Sequence, residues 1–587
     1  MTTLPPSPST VASYLAIRLR DIGIEHVFTI PGDYCAPFLD VLDATPGIER
    51  VPNRNELGCG YAADGYARLK GAGAACVQYG VGTFSLLNCV AGSFVEFVPV
   101  AIISSSPGAS SRLLEEHQNI LFHHSTGDLR ADQEVFKHVT VASMLITNAG
   151  SAPHEIDWAL TQMITHRRPV YIEVINSVWN ASCPEPSGKL SPIPPYSDPS
   201  SLQSAVHSAY AALASAQSPV FFLGVEVQRL GLQKLAQELI DATGIPFTTT
   251  SLGKTVLDEG QPLFAGTYAG PASPPFTNEL VTKSDCVLAL GTIITDDYLG
   301  VMASSFSKMI RVSHGETRVG LTYFPPVALA DFLAAFLEAV RRRPLGKWPL
   351  PEAPFATPLP TSHPEIQLTY ELFYEILGGF VVTTSLRESC VLVLGESTSL
   401  YVFGNLFGLV PNSFVAQAAW GSLGHETGSA LGVGLGSGKR PLVVAGDGGF
   451  MMICQEISSL VQAQSNAVIF VMSNHGYAIE QAFVNLKAFE PGGEFAPYDV
   501  LPQWDYLALA QAFGARGVRV STTTELLRFL EGLGAPATVP TLVEVVIPMH
   551  DLAPQLSGNH LARLGDPDGR IGAHSVQRVL PSAASAP

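Results

Sequence analysis

At 587 residues the chain exceeds what one hydrophobic core organises, so two to four domains are expected. Composition is that of a globular protein, 47% hydrophobic and 14% charged, with 51 Asp+Glu against 33 Lys+Arg for a net charge of −18. No basic run exceeds Arg341-Arg342-Arg343, which argues against a nucleic-acid partner, and no run of eighteen apolar residues offers a membrane span.

In chain order, residues 1–9 are polar and Pro-rich, unlike a secretion signal. The eight cysteines are scattered without a C-x-x-C pair, which reads as reduced thiols in a cytoplasmic protein. Thr10 is placed to cap a helix with Val11, Tyr14, Leu15, Leu19 and Ile22 on one stripe, stopped by Gly23. Short apolar strands are expected over 27–30, 75–79, 99–104 and 169–174, separated by helical patterns. The Pro-rich stretch 183–200 cannot continue a helix or inner strand and reads as a linker. A middle block repeats the style, with strands at 219–223 and 286–290, and a second Pro-rich linker covers 343–364. A third block carries strands at 390–394, 441–445 and 467–472. The expected fold is α/β, three successive doubly wound parallel-sheet domains over 1–185, 200–342 and 365–560, with a tail over 561–587.

The segment 441–480 carries the strongest chemical pattern. One strand ends at Gly446-Asp447-Gly448, a helix follows, a second strand ends at Ser473-Asn474, and a turn follows at His475-Gly476. Asp447 and Asn474 therefore belong at carboxyl ends of parallel strands, where open α/β sheets bind ligands. A carboxylate, an amide oxygen and a turn carbonyl form a hard-oxygen half-shell of the kind Mg²⁺ completes with water and phosphate. Gly446, Gly448 and Gly449 let main-chain N–H groups approach a diphosphate at the helix start.

The spacing of 27 residues from Asp447 to Asn474 resembles the thiamine-diphosphate signature, which opens with Gly-Asp-Gly and closes in a double Asn. Here Ser473 replaces the first Asn, and Asn474, the metal ligand in the family, is kept. The first block adds Thr29-Ile30-Pro31-Gly32-Asp33-Tyr34, Arg54-Asn55-Glu56-Leu57 and Gly60-Tyr61-Ala62-Ala63-Asp64-Gly65-Tyr66-Ala67-Arg68, similar to the pyrimidine-binding domain of these enzymes. Asp33, the pair His123-His124 and Glu480 resemble the 2-oxo-acid decarboxylase subgroup, which includes the pyruvate and indolepyruvate decarboxylases.

The resemblance implies non-oxidative decarboxylation of a 2-oxo acid to an aldehyde and CO₂, with thiamine diphosphate and Mg²⁺ as cofactors. It implies that Glu56 bonds the aminopyrimidine and activates the cofactor, and that Glu480 lies near the departing carboxylate. Asp33 with His124 would then protonate what remains and assist aldehyde release, with His123 in support. Asp447, Asn474 and Gly476 would hold the metal. Gly421, Leu423, Gly446, Gly448, Gly449, Tyr477 and Ile479 would surround the cofactor, Leu423 bending it. Leu400 stands where pyruvate-specific members carry Trp, Ile479 is kept, and Phe483 is larger than the aliphatic residue common there. These changes oppose each other, Leu400 gaining room and Phe483 taking it, and the preferred expectation is an enlarged pocket for an aryl or branched 2-oxo acid. Glu396 stands where a small hydroxyl residue is usual near the pyrimidine, and nothing in the sequence accounts for it.

The family holds its cofactor between the first domain of one subunit and the third of another. The resemblance thus implies a homodimer at minimum and usually a homotetramer, with no nucleic-acid or membrane partner. Two alternatives remain: a carboligase forming 2-hydroxy ketones, and a catalytically inactive scaffold. Retention of Glu56, Asp447, Asn474 and Glu480 argues against the scaffold.

Overall fold

The computed structural model describes residues 9–346, 348, 365–404, 406–534 and 537–556. The opening helix is Val11–Asp21, with Thr10 and Ser13 completing a reciprocal capping box. Strands apolar on both faces can only be central in a sheet covered on both sides. The first sheet comprises β1 (His26–Thr29), β2 (Glu49–Pro52), β3 (Gly73–Gln78), β4 (Val100–Ser106), β5 (Ala142–Ile146) and β6 (Val170–Ile175), of which β3, β4 and β6 are buried on both faces while β2 and β5 form the edges. Their order is β2-β1-β3-β4-β6-β5, parallel throughout.

The middle sheet comprises β7 (Pro219–Leu223), β8 (Phe247–Thr249), β9 (Phe264–Thr267), β10 (Cys286–Leu290), β11 (Met309–Ser313), β12 (Glu316–Val319) and β13 (Thr322–Tyr323), in the order β13-β12-β11-β10-β7-β8-β9. Its edge departs from the expected all-parallel pattern: β12 and β13 run antiparallel, folded back by the turn at His314-Gly315. The third sheet comprises β14 (Cys390–Leu394), β15 (Phe414–Ala416), β16 (Arg440–Gly446), β17 (Val468–Ser473), β18 (Arg516–Val520) and β19 (Thr541–Val546), in the all-parallel order β15-β14-β16-β17-β19-β18. Residues 184–197 contain no helix or strand. Most of the second linker and the whole of 561–587 lie outside the described residues.

The first and third domains share one apolar core, in which Tyr66 and Leu86 pack with Ala430, Val433 and Ile457. Helix Glu56–Lys70 lies against helix His425–Ser437 at backbone contact distance. A methyl at Gly428 would fall 2.8 Å from the Tyr61 ring, and one at Gly65 would fall 2.7 Å from the Ser429 carbonyl. A buried polar network crosses the same seam. Arg68 bonds Asp64 at 2.6 Å, Glu96 at 2.7 Å and the Ala416 carbonyl at 3.0 Å, while His425 Nε2 meets Asp64 at 2.8 Å. The other Glu96 oxygen accepts the N–H groups of Ala419 and Trp420, which fixes the turn leading to Gly421. Although burial opposes ionisation of Asp64, Arg68 and His425 hold its carboxyl well below the usual range.

Candidate active site

Register places the metal-type ligands side by side. β16 and β17 are adjacent and parallel, with Gly446 opposite Met472, so Asp447 and Asn474 emerge from the same sheet edge. Asp447 is 2% exposed, and its oxygens accept the N–H groups of Gly448 at 2.9 Å and His475 at 2.7 Å. With its oxygen inward, the Asn474 amide faces Gly476 O at 3.0 Å and Asp447 Oδ2 at 3.3 Å, three acceptors with no donor among them. Turning the amide, so that its NH₂ donates to both oxygens, resolves that arrangement, and so would a cation shared by the three oxygens. Among the described residues no three His, Cys, Asp or Glu side chains cluster to hold a metal, so the set here is one carboxylate with amide and main-chain oxygens. Such a set suits Mg²⁺ sharing its shell with phosphate.

Glycines open the floor beside these oxygens. A methyl at Gly448 would sit 2.8 Å from Tyr477 ring carbons, and one at Gly449 would sit 2.8 Å from Glu426 Oε1. The residues therefore fit a diphosphate that main-chain N–H groups would hold beside the cation's oxygens. The cavity at this edge is lined by Asp447, Asn474, Gly476 and the flanking Gly446, Gly448 and Gly449. Leu423, Tyr477, Ile479 and Glu480 complete its wall. Gly421 stands at the rim with φ +69°, where a methyl would come 3.4 Å from Glu396 Cγ.

Two further carboxyl groups line this cavity. Glu396 has no reading in the sequence, and Glu426 escaped notice, although a charged residue in the Gly-rich run 424–438 was its one signal. Each leaves its Oε2 without a hydrogen-bond partner. Burial pushes Glu396 up to about 8, aided by the charges of Asp297 and Glu96, and pushes Glu426 up to about 7. Burial also raises Asp447 to about 6 against its main-chain donors, and raises Glu480 with help from Asp499. Near neutral pH Glu396, and in part Glu426, therefore keep protons, which makes the cavity less negative than its composition suggests.

Of the expected substrate-side residues, Ile479 lines this cavity, and Leu400 and Phe483 do not. Leu400 is 6% exposed and packs into the third-domain core. Its neighbour Tyr401 instead joins Ile479 and Phe483, together with Phe489, Leu552 and Leu556, in an apolar cluster beside Glu480. The Tyr401 hydroxyl donates to Glu396 Oε1 at 3.5 Å.

Asp33, Glu56, His123 and His124 collect elsewhere, at the carboxyl end of β3. Gln78 Nε2 donates to Asp33 Oδ1 at 2.5 Å, and Tyr79 OH donates to the His123 carbonyl at 2.5 Å. The His124 ring centroid is 6.0 Å from that of Tyr79. Glu56 is the first residue of its helix, and its Oε1 lies 3.5 Å from where a methyl on Gly82 would stand. None of the four lines the Asp447 cavity. Asp33, His123 and His124 are exposed and Glu56 is half-buried.

Three family models match the chain in succession: the thiamine pyrophosphate enzyme N-terminal TPP binding domain over residues 9–128, the central domain over 206–340, and the C-terminal TPP binding domain over 400–545. An alpha-keto-acid decarboxylase of Mycobacterium leprae is 31% identical, with 96% of each chain covered. A pyruvate decarboxylase of Kluyveromyces lactis is 31% identical over 93% of this chain and 96% of its own. Pyruvate decarboxylase isozyme 1 of Saccharomyces cerevisiae is 30% identical over 94% of this chain and 97% of its own.

Proposed function

The chain belongs to the thiamine-diphosphate-dependent 2-oxo-acid decarboxylases, and we propose that it works with Mg²⁺ on an aryl or branched 2-oxo acid, in a homodimer whose sites are each built from two copies. The observation that carries this reading is the division of the machinery. Asp447, Asn474, Gly476 and Glu480 share one cavity, whereas Glu56, Asp33, His123 and His124 stand on another exposed face. Large apolar side chains are exposed beside both halves: Val81, Ile120 and Leu121 by the first-domain set, Trp420, Met452 and Tyr498 by the cavity. Two copies related by a twofold axis would cover these surfaces and complete two equivalent sites. Pairing of such dimers gives the tetramer.

Thiamine diphosphate, when bound, supplies the nucleophilic carbon and the electron sink that let the substrate carboxylate leave as CO₂. The chain's residues do the rest. Asp447, Asn474 and Gly476 would hold the cation, and main-chain N–H groups at the Gly-rich helix start not used by Asp447, that of Gly449 first, would hold the diphosphate. Leu423, in the wall of the same cavity, would support the cofactor. Glu56 of the other copy holds a proton at N1′ of the aminopyrimidine, and thereby controls proton removal from the thiazolium carbon. Glu480, its pKa raised by burial, tolerates the approaching substrate carboxylate better than an exposed glutamate would. Asp33 with His124 delivers the proton that the product aldehyde requires, and His123 steadies the pair. Tyr401, Phe483 and Phe489 make the apolar wall near Glu480 aromatic, which favours a ring or branched chain on the substrate.

The deciding assay measures CO₂ release and aldehyde formation from pyruvate, phenylpyruvate, indolepyruvate and branched 2-oxo acids, with and without both cofactors. Cofactor-dependent aldehyde, formed fastest from a bulky acid, is expected; a clear preference for pyruvate refutes the pocket reading. Division of the site is tested by co-assembling E56Q and D447N chains, each inactive alone. Random pairing should restore about a quarter of wild-type activity, because half the dimers then hold one intact site of two. No recovery refutes the split site.

A further inference from the structure

Glu456 opens helix Glu456–Gln462 in the third domain and is 2% exposed. It lies nine residues beyond Asp447 but does not line the cavity. Its carboxylate crosses the seam to the first domain. Oε2 accepts from Asn53 Nδ2 at 2.9 Å, and Oε1 accepts the main-chain N–H groups of Arg54 at 3.1 Å and Asn55 at 3.2 Å. Ser459 Oγ steadies it from its own helix at 2.7 Å. Asn55 in turn caps the helix that begins at Glu56, accepting the Gly58 N–H at 2.6 Å. Any side chain at Gly58 would strike the Glu456 carboxyl group, with Cγ 2.7 Å from the added carbon, so that glycine clears the path of the contact. The Arg54 side chain reinforces the clasp through Ser458 Oγ at 2.8 Å and Gln462 Oε1 at 2.5 Å.

The three residues immediately before Glu56 are thus bound to a single third-domain helix. We infer that Glu456 is a positioning residue for Glu56 of its own chain, setting the turn from which the Glu56 carboxyl is aimed. Given the split-site reading above, on which this consequence rests, Glu456 serves the cofactor site opposite the one its own Asp447 borders. A purely structural strut between domains would weaken the fold without changing the chemistry of Glu56.

The first test measures deuterium exchange at the thiazolium C2 of bound thiamine diphosphate, with Mg²⁺ and without substrate, by acid quench and NMR. E456A should slow exchange by about tenfold to a hundredfold, the effect of misplacing a reacting group by roughly 1 Å. Its dissociation constant for thiamine diphosphate, read by protein fluorescence, should stay within about threefold of wild type, since no diphosphate contact is lost. E456Q should exchange within about threefold of wild type, because the Gln oxygen still accepts the two main-chain N–H groups. Asn53, whose Oδ1 has no partner, can turn that oxygen to the Gln amide. Normal exchange in E456A, or lost affinity with exchange intact, overturns the inference.

The second test uses mixed dimers. Wild type paired with the double variant E56Q/E456A should keep one site at full exchange rate, because both changes damage the same half-site. E56Q paired with E456A should keep none. The reverse pattern would mean that Glu456 acts through its own Asp447 half, and it overturns the inference. The E56Q and D447N mixture reports on site division by itself, so failure there indicts that reading, while C2 exchange in the E456A homodimer still judges Glu456.

Discussion

Replacing Gly432 by alanine tests whether the seam between helices Glu56–Lys70 and His425–Ser437 sets both stability and function. The added methyl would lie 2.7 Å from the carbonyl carbon of Ala62 and 2.8 Å from the amide nitrogen of Tyr66, with the Ala62 oxygen closer still. All of these are backbone atoms, so no rotamer change relieves the overlap. The helices must separate by more than about 1 Å, because the Ala62 oxygen, the nearest of these atoms, has to move out to the ~3.5 Å of ordinary contact. Overpacking of this kind costs about 1–3 kcal/mol, set against the ~1 kcal/mol that Gly→Ala gains in helix propensity. Gly434, on the same helix, is the control. Its methyl would meet nothing nearer than Pro441 Cγ at 3.4 Å, so G434A should gain roughly 0.5–1 kcal/mol. Urea unfolding at fixed protein concentration, with and without thiamine diphosphate and Mg²⁺, should show G432A below wild type and G434A at or above it. G432A should also slow exchange at the thiazolium C2, because the displaced helix carries Glu56 at its first position. A G432A midpoint equal to wild type, or equal losses in both variants, would refute the backbone-contact argument.

Arg68→Met leaves Asp64 and Glu96 buried without their shared cation and should cost about 3–5 kcal/mol in urea unfolding; a loss under 1 kcal/mol would mean the network relaxes freely. Burial pushes Glu226 in the middle domain up to about 7, so between its unfolded value of ~4.3 and about 7 the folded chain holds a proton the unfolded chain has lost. That raised pKa makes stability fall as pH rises through this window, so E226Q should outlast wild type in thermal unfolding at pH 8, with the gap closing by pH 5; a pH-independent gap contradicts the assignment. In wild type, Mg²⁺ with thiamine diphosphate should raise the unfolding temperature by binding linkage, and D447N should show little of that rise; a wild-type response in D447N would remove Asp447 from the metal.

What the sequence made legible is what short-range chemistry encodes. Strands Pro219–Leu223, Cys286–Leu290 and Cys390–Leu394 form residue for residue where doubly apolar runs meet turn residues. The antiparallel β12–β13 edge escaped because its strands mix charged and apolar residues and end at Tyr323, too short for a period to show. Leu400 and Tyr401 adjoin on the one short helix Thr398–Phe403, where a single step turns the side chain by about 100° and exchanges the third-domain core for the cluster with Ile479 and Phe483. Glu456 offered less still. A glutamate opening a helix reads as surface, and only the fold brings Asn53 across some 400 residues to meet it.

Charge illustrates the same limit at the scale of the site. A net charge of −18 together with Glu396, Glu426, Asp447 and Glu480 around one cavity describes, on paper, a poor receptor for a diphosphate and a 2-oxo acid. Burial reverses that expectation for the two unpartnered carboxyls. Glu396, up to about 8, and Glu426, up to about 7, keep protons that exposed glutamates would have lost, and a protonated carboxyl can donate to an incoming anion. The carboxylates that must remain ionised are those given donors or a cation: Asp447 by the Gly448 and His475 N–H groups, and Asp64 by Arg68. Composition counts acids, but solvation decides which of them are charges.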